Sequence, residues 1–209
     1  MTERAKVFCI GFQKTGTTSL FAALTALGYR TAAVVGRDLT AEELRAKGAA
    51  LCIDVAKVFD AAQDMPWPIF FRELDAAYPG SKFILTVRDS ASWFRSIEGH
   101  FGANESALGA FIYGEDAAAP ANNRARYIDV FEAHERAVRD HFATRPADLL
   151  IMDLAAGDGW EKLCAFLGVD APSEPFPIRN AAGERDKLAF KLRRKLARLA
   201  GHYLAPEKI

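Results

Sequence analysis

A short apolar run, Phe8-Cys9-Ile10, stops at a turn bounded by Gly11 and Gly16, and an amphipathic pattern starts at once with Thr17-Thr18-Ser19-Leu20. That order spells strand, tight loop, helix, and commits the chain to an α/β unit with the loop at the carboxyl end of the strand. Gly11 and Gly16 tolerate backbone angles that other residues avoid, so the loop is expected to wrap tightly and aim successive N–H groups into one concavity. The helix that follows adds its first-turn N–H groups and the positive end of its dipole, and Thr15, Thr17 and Thr18 add hydroxyl donors. A phosphate or sulfate is the natural occupant of such a loop.

The spacing approaches the nucleotide-binding pattern G-x-x-x-x-G-K-[ST], with Gly11 and Gly16 in place and Thr18 at the Ser/Thr position. Thr17 stands where that pattern has lysine, and the loop's own lysine, Lys14, precedes the second glycine. A lysine there approaches a bound anion from the other side of the turn than the usual P-loop lysine does.

Beyond the loop, Leu20, Leu24 and Leu27 share a helical face, and Gly28 supplies a left-handed stop. Residues 30–35 read as a short strand, Thr40 with Glu43 as a capping box opening a helix, and 51–55 as a further strand. Two prolines make 63–68 irregular, helical spacing resumes at Ile69 and Leu74, and Tyr78-Pro79-Gly80 turns the chain. Residues 82–87 are the clearest inner strand, a β-branched apolar run ending in Arg88-Asp89-Ser90. Ligands of open parallel sheets bind beyond the carboxyl ends of the strands, so Arg88 is expected to face the same crevice as the glycine loop. Ser90 is expected to cap a helix carrying Trp93, Ser96 and Ile97, and 122–141 forms a second long helix. Residues 149–154 read as another inner strand and 160–168 as a helix stopped by Gly168. Alternating strands and helices give an α/β fold with a central, mostly parallel sheet flanked by helices.

At 209 residues, half of them hydrophobic and with no net charge, the chain suits one domain over 1–209 and does not suit a uniformly basic nucleic-acid binder. Cys9, Cys52 and Cys164 are scattered without a C-x-x-C pair, which argues against a disulfide framework and a zinc site and for reduced thiols in a cytoplasm. The first apolar run is too short and too soon broken by Gln13 and Lys14 for a signal peptide, and no stretch has the length and apolarity of a bilayer span. Residues 184–204 form a basic amphipathic helix, whose first expectation is packing on the domain and whose second is peripheral contact with an anionic membrane. Arg179, Arg185 or Lys187 could also lean over the anion site.

Two anion-binding loops facing one crevice call for a ligand with two separated anionic groups. Residues 12–20 resemble the 5′-phosphosulfate loop of sulfotransferases that use 3′-phosphoadenosine 5′-phosphosulfate, in which the lysine lies before the second glycine. Residues 82–96 resemble their 3′-phosphate segment, an apolar strand ending in arginine with a serine eight positions later, here Arg88 and Ser96. Asp153-Leu154 followed by Phe166-Leu167-Gly168 is similar to a late segment of the same superfamily, and the likeness runs from Val7 to Asn180. Tyr78-Pro79-Gly80 and Trp93 look like a compact bacterial-type branch. Ser19 replaces the tryptophan that commonly holds the adenine, and the C-terminal R-K-G segment has no counterpart in 176–180.

The resemblance implies a three-layer, P-loop-NTPase-like fold and sulfuryl transfer to a hydroxyl or amine of a small-molecule, sugar or lipid acceptor. No metal is needed, and adenosine 3′,5′-bisphosphate is the product. It assigns Gln13, Lys14, Thr15, Gly16, Thr17 and Thr18 to the 5′ end of the donor, and Arg88 and Ser96 to the 3′-phosphate. Lys14 relieves charge on the leaving phosphate. The base is expected in Asp64, which precedes Pro66 as a base histidine precedes a proline in the cytosolic members; His100, Glu73 and His134 are the other candidates. Two rival readings remain: a P-loop kinase with magnesium on Asp153 or Asp54, opposed by Thr17, and a silent nucleotide- or membrane-binding domain.

Overall fold

The computed structural model describes residues 4–178; the basic stretch at 184–204 and Arg179, Arg185 and Lys187 lie outside the described residues. Five strands are present: β1 Val7–Cys9, β2 Thr31–Ala32, β3 Ala61–Ala62, β4 Lys82–Thr86 and β5 Leu149–Met152. The helices are α1 Thr17–Ala26, α2 Ala41–Ala56, α3 Phe71–Ala77, α4 Ser90–Phe101, α5 Ala107–Tyr113, α6 Arg124–His141 and α7 Trp160–Leu167. The sheet order is β2-β3-β1-β4-β5 and every pairing is parallel, so all carboxyl ends lie along one edge. From β1 the chain goes to one side for β2 and β3, then to the other for β4 and β5. The loop after β1 therefore sits where the strand order reverses, which is where open α/β sheets form their crevice.

Alternation along the strands sends side chains to two helical layers. Phe8, Ala62, Phe83 and Leu85 pack with Cys52 and Ala56 of α2, Leu74 of α3 and Val138 of α6. Val7, Cys9, Ala61, Ile84, Leu150 and Met152 pack with Leu20, Ala23 and Leu24 of α1 and Leu163 of α7. This is the three-layer α/β arrangement that the strand and helix pattern implies. A third cluster gathers Phe12 and Met65, from the loops after β1 and β3, with Trp93, Ile97, Tyr113, Tyr127 and Phe131. Trp93 and Phe131 stack at 4.2 Å between ring centroids. Of this cluster, Met65, Tyr113 and Tyr127 line the crevice beyond the carboxyl edge.

Three local expectations are corrected. Residues 51–55 are helical, not a strand, because the helix opened by the Thr40–Glu43 capping box runs on to Ala56. Its buried residues Leu44, Gly48, Cys52 and Ala56 recur every four positions, so the apolar run at 51–55 is the end of a helix stripe. Residues 149–152 form the sheet's edge strand among the described residues, not an inner one. Its apolar run is covered on one side by α7, with Leu163 against Leu150 and Met152. The cap of α4 is Asp89, whose carboxylate accepts from the Ser92 N–H at 2.8 Å; Ser90 is already the first helical residue, and its hydroxyl donates to Glu132 at 2.6 Å.

Among the described residues no helix is long and apolar enough to cross a membrane, and no group of three His, Cys, Asp or Glu side chains is arranged to hold a metal ion.

Candidate active site

The loop after β1 is compressed against β4. A Cβ on Gly11 would lie 1.9 Å from Thr86 Oγ1 and 2.6 Å from the Thr86 carbonyl oxygen, so only glycine fits. This corrects the expectation for Gly11: its φ is not in the left-handed region, and close approach is what demands it. Gly16 does take φ 109° and is the N-cap of α1. The second left-handed residue of the loop is Lys14 itself, at φ 71°. That conformation costs a non-glycine residue roughly 1–2 kcal/mol, so the surrounding structure must hold it.

Two contacts do so. Arg88, two residues beyond β4, donates from Nη1 to the Lys14 carbonyl at 3.0 Å, while its Nε donates to Ser92 Oγ at 3.0 Å. Thr15 donates from Oγ1 to the Phe12 carbonyl at 2.6 Å and is hydrogen-bonded to Thr86 Oγ1 at 2.5 Å. The Thr15 hydroxyl therefore ties the loop down to the sheet, and Thr15 is not among the cavity-lining residues. Gln13 is anchored twice: its carbonyl accepts from Trp93 Nε1 at 2.9 Å, and its Nε2 donates to the Tyr113 hydroxyl at 3.2 Å. Its Oε1 is buried with no hydrogen-bond partner among the described residues.

Above this loop opens a cavity of about 1130 Å³, lined by Gln13, Lys14, Gly16, Thr17 and Thr18 together with Arg88. Its other walls carry Asp64 and Met65 after β3, Arg37 after β2, and His100 near the end of α4. Sites for one small ligand usually fall at ~300–1,000 Å³, so this volume has room for two reactants. The first turn of α1 begins at the wall of the cavity, where its N–H groups and dipole favour an anion. The cavity thus unites the glycine loop with Arg88, as expected from the strand ends.

Asp64 is the second non-glycine cavity residue in the left-handed region, at φ 71°. Removal from water pushes its carboxyl above the ordinary carboxylate range, while the Met65 N–H, Arg37 and Lys14 pull it back. Asp64 thus lies within the field of Lys14, as a group working on the same reacting centre must. The other proposed bases separate clearly. His100 lines the cavity from an exposed position on α4. Glu73 is exposed on α3 and is not a lining residue. His134 donates from Nε2 to the Ile10 carbonyl at 2.7 Å and lies against Phe12 with ring centroids 4.5 Å apart, so it buttresses the backbone just past β1. Ser96 is half-buried on α4, one turn before Gly99 and His100, and does not line the cavity.

Burial lowers the pKa of His134 from 6.5 to about 4, so the ring is neutral in the folded protein at neutral pH. Between those values the unfolded chain binds the proton that the folded one refuses, so stability falls as pH drops through this window. The loss is expected to reach roughly 3 kcal/mol by pH 4. Denaturant unfolding of the wild type against His134→Gln, measured from pH 7 to 4, checks it; the variant keeps a donor for Ile10 and should lose most of that slope.

Neither carboxylate suggested for magnesium suits that role. Asp54 is exposed on α2 and pairs with Lys57 at 2.7 Å. Asp153 accepts from the Ala155 and Ala156 N–H groups in a turn after β5, outside the cavity. Of the charged residues on the cavity wall, sequence reasoning passed over Arg37 and Glu105. The rule that singled out Arg88, a cation past a strand's carboxyl end, would also have found Arg37.

A family model described as "Sulfotransferase domain" matches residues 6–116 and 107–185. A curated protein of Aspergillus versicolor, "Ava biosynthesis cluster protein M", is 27% identical over 211 residues, spanning 82% of this chain and 79% of that protein.

Proposed function

The chain belongs to the sulfotransferase-domain family, and from that premise we propose that it transfers a sulfuryl group from 3′-phosphoadenosine 5′-phosphosulfate to a hydroxyl acceptor in the cytoplasm. The observation that carries this reading is the convergence of Lys14 and Arg88 on one cavity, joined by the Arg88–Lys14 carbonyl hydrogen bond. In this reading Gln13, Lys14, Gly16, Thr17 and Thr18 hold the 5′ end of the donor and Arg88 its 3′-phosphate. The donor supplies an already activated sulfuryl group. Thr15 acts behind the wall by tying the loop to β4.

The work of the protein is then placement and charge relief. Asp64 accepts the proton of the acceptor hydroxyl as its oxygen bonds to sulfur, and the sulfur–oxygen bond to the 5′-phosphate breaks with its electron pair on the phosphate. Lys14 neutralises the charge that collects there. No proton needs to reach that phosphate at neutral pH, and no step calls for a metal.

Calorimetric titration tests the donor assignment. Adenosine 3′,5′-bisphosphate should bind in the presence of a chelator, and ATP with or without magnesium should bind at least about tenfold more weakly, since it lacks the 3′-phosphate that Arg88 would hold. Tighter, strictly magnesium-dependent ATP binding would establish the kinase reading instead.

A further inference from the structure

Charged side chains follow strand order along the carboxyl edge of the sheet: Arg37 after β2, Asp64 after β3, Lys14 after β1 and Arg88 after β4. All four line the cavity. Lys14 and Arg88 occupy adjacent strands and are hydrogen-bonded to each other, which makes one unit of them. Arg37 stands apart, beyond Asp64, two strands from the glycine loop. It is exposed and has no hydrogen bond or ion pair among the described residues, and its charge reaches the Asp64 carboxylate. A donor spanning Lys14 to Arg88 extends away from it.

The cavity also offers apolar side chains. Val34 precedes Arg37 in the same loop, Met65 follows Asp64, and Leu108 and Ile112 face the cavity from α5. Helix α5 is held in place, because Arg45 of α2 donates to the Ala110 carbonyl at 3.3 Å and pairs with Glu115 at 3.0 Å, and Phe111 stacks on Phe70. Glu105, the other carboxylate on the cavity wall among the described residues, lies in the segment before α5. It repels an anion, whereas Arg37 attracts one.

We propose that the part of the cavity around Arg37 is the acceptor site and that Arg37 makes it selective for hydroxylated carboxylic acids with an apolar body. The carboxylate lies on Arg37, the body against Val34, Met65, Leu108 and Ile112, and the hydroxyl between Asp64 and Lys14. The proposal rests on the sulfotransferase reading for the identity of the reaction, but it makes a separate statement about binding.

The test uses matched probes: a series from hydroxyphenylalkanoic acids to medium-chain hydroxy fatty acids, each with its methyl ester. Binding to the protein loaded with adenosine 3′,5′-bisphosphate is measured by calorimetry for the wild type, Arg37→Ala and Arg37→Gln. At least one acid should bind about tenfold or more tighter than its ester, as expected for a charge-assisted hydrogen bond. In both variants that preference should shrink to within about twofold, while affinity for the bisphosphate stays unchanged. Arg37 is exposed, so both variants should fold. Esters binding as well as acids, or no acid binding at all to the loaded protein, overturns the proposal. Loss of bisphosphate affinity in Arg37→Ala also overturns it and moves Arg37 to the donor. An acid preference that depends on Arg37 in a protein that fails to bind the bisphosphate would retain the anion site and discard the donor reading.

Discussion

Lys14→Ala is expected to lower turnover by about a hundredfold or more while leaving the affinity for adenosine 3′,5′-bisphosphate within a few fold. The ammonium matters most when the leaving 5′-phosphate takes up charge, and that demand exists in the transition state rather than in the bound product. The loop should survive the substitution, since the Lys14 carbonyl keeps its hydrogen bond to Arg88 and the Thr15 hydroxyl its bonds to Phe12 and Thr86. Alanine is no more strained at φ 71° than lysine is. Arg88→Ala should show the opposite emphasis, with donor affinity falling by about tenfold or more. Because Arg88 also holds the Lys14 carbonyl, it should cost part of the turnover as well, and the double variant should lose less than the two single effects combined. Steady-state kinetics with bisphosphate titrations resolve these patterns. Small and equal effects from both substitutions would remove the site.

That coupling is a property of the fold that no reading of the chain could supply. The glycine loop and Arg88 were legible because each combines a local pattern with a rule of topology: a strand that ends in a tight turn, and a cation past a carboxyl end. The capping box at Thr40 and Glu43 was legible for the same reason, since its partners are three residues apart. What escaped were features decided by neighbours far along the sequence. Strand β3 is only Ala61–Ala62, two residues of low strand propensity that pair between β2 and β1, while the stronger-looking run at 51–55 lies in a helix because its fourth-position stripe meets the core. The need for glycine at position 11 comes from Thr86, and the role of Thr15 from the same residue, 71 positions away. His134 looked like a base by residue type, yet a hydrogen bond to Ile10 across 124 positions makes it a prop for the backbone just past β1.

Asp64→Asn should reduce turnover by about a hundredfold or more with donor affinity nearly unchanged. Asparagine matches the size of the side chain and accepts the left-handed conformation at φ 71° at least as well as aspartate, so the loop keeps its course. What it loses is the ability to take a proton. Because burial raises the Asp64 carboxyl above the ordinary carboxylate range, the wild type's kcat/KM should climb with pH through a value higher than that of a free aspartate. The variant's residual activity should lack that acid limb. Stability gives the control. A carboxyl whose folded pKa is raised binds more protons folded than unfolded between the two values, so its ionisation destabilises the native state as pH rises. Removing it should leave the unfolding midpoint at pH 7 equal to or above that of the wild type. A loss of activity accompanied by a lower midpoint would point to a damaged loop, and a loss of only a few fold with the acid limb intact would transfer the role of base to His100, the remaining base candidate on the cavity wall.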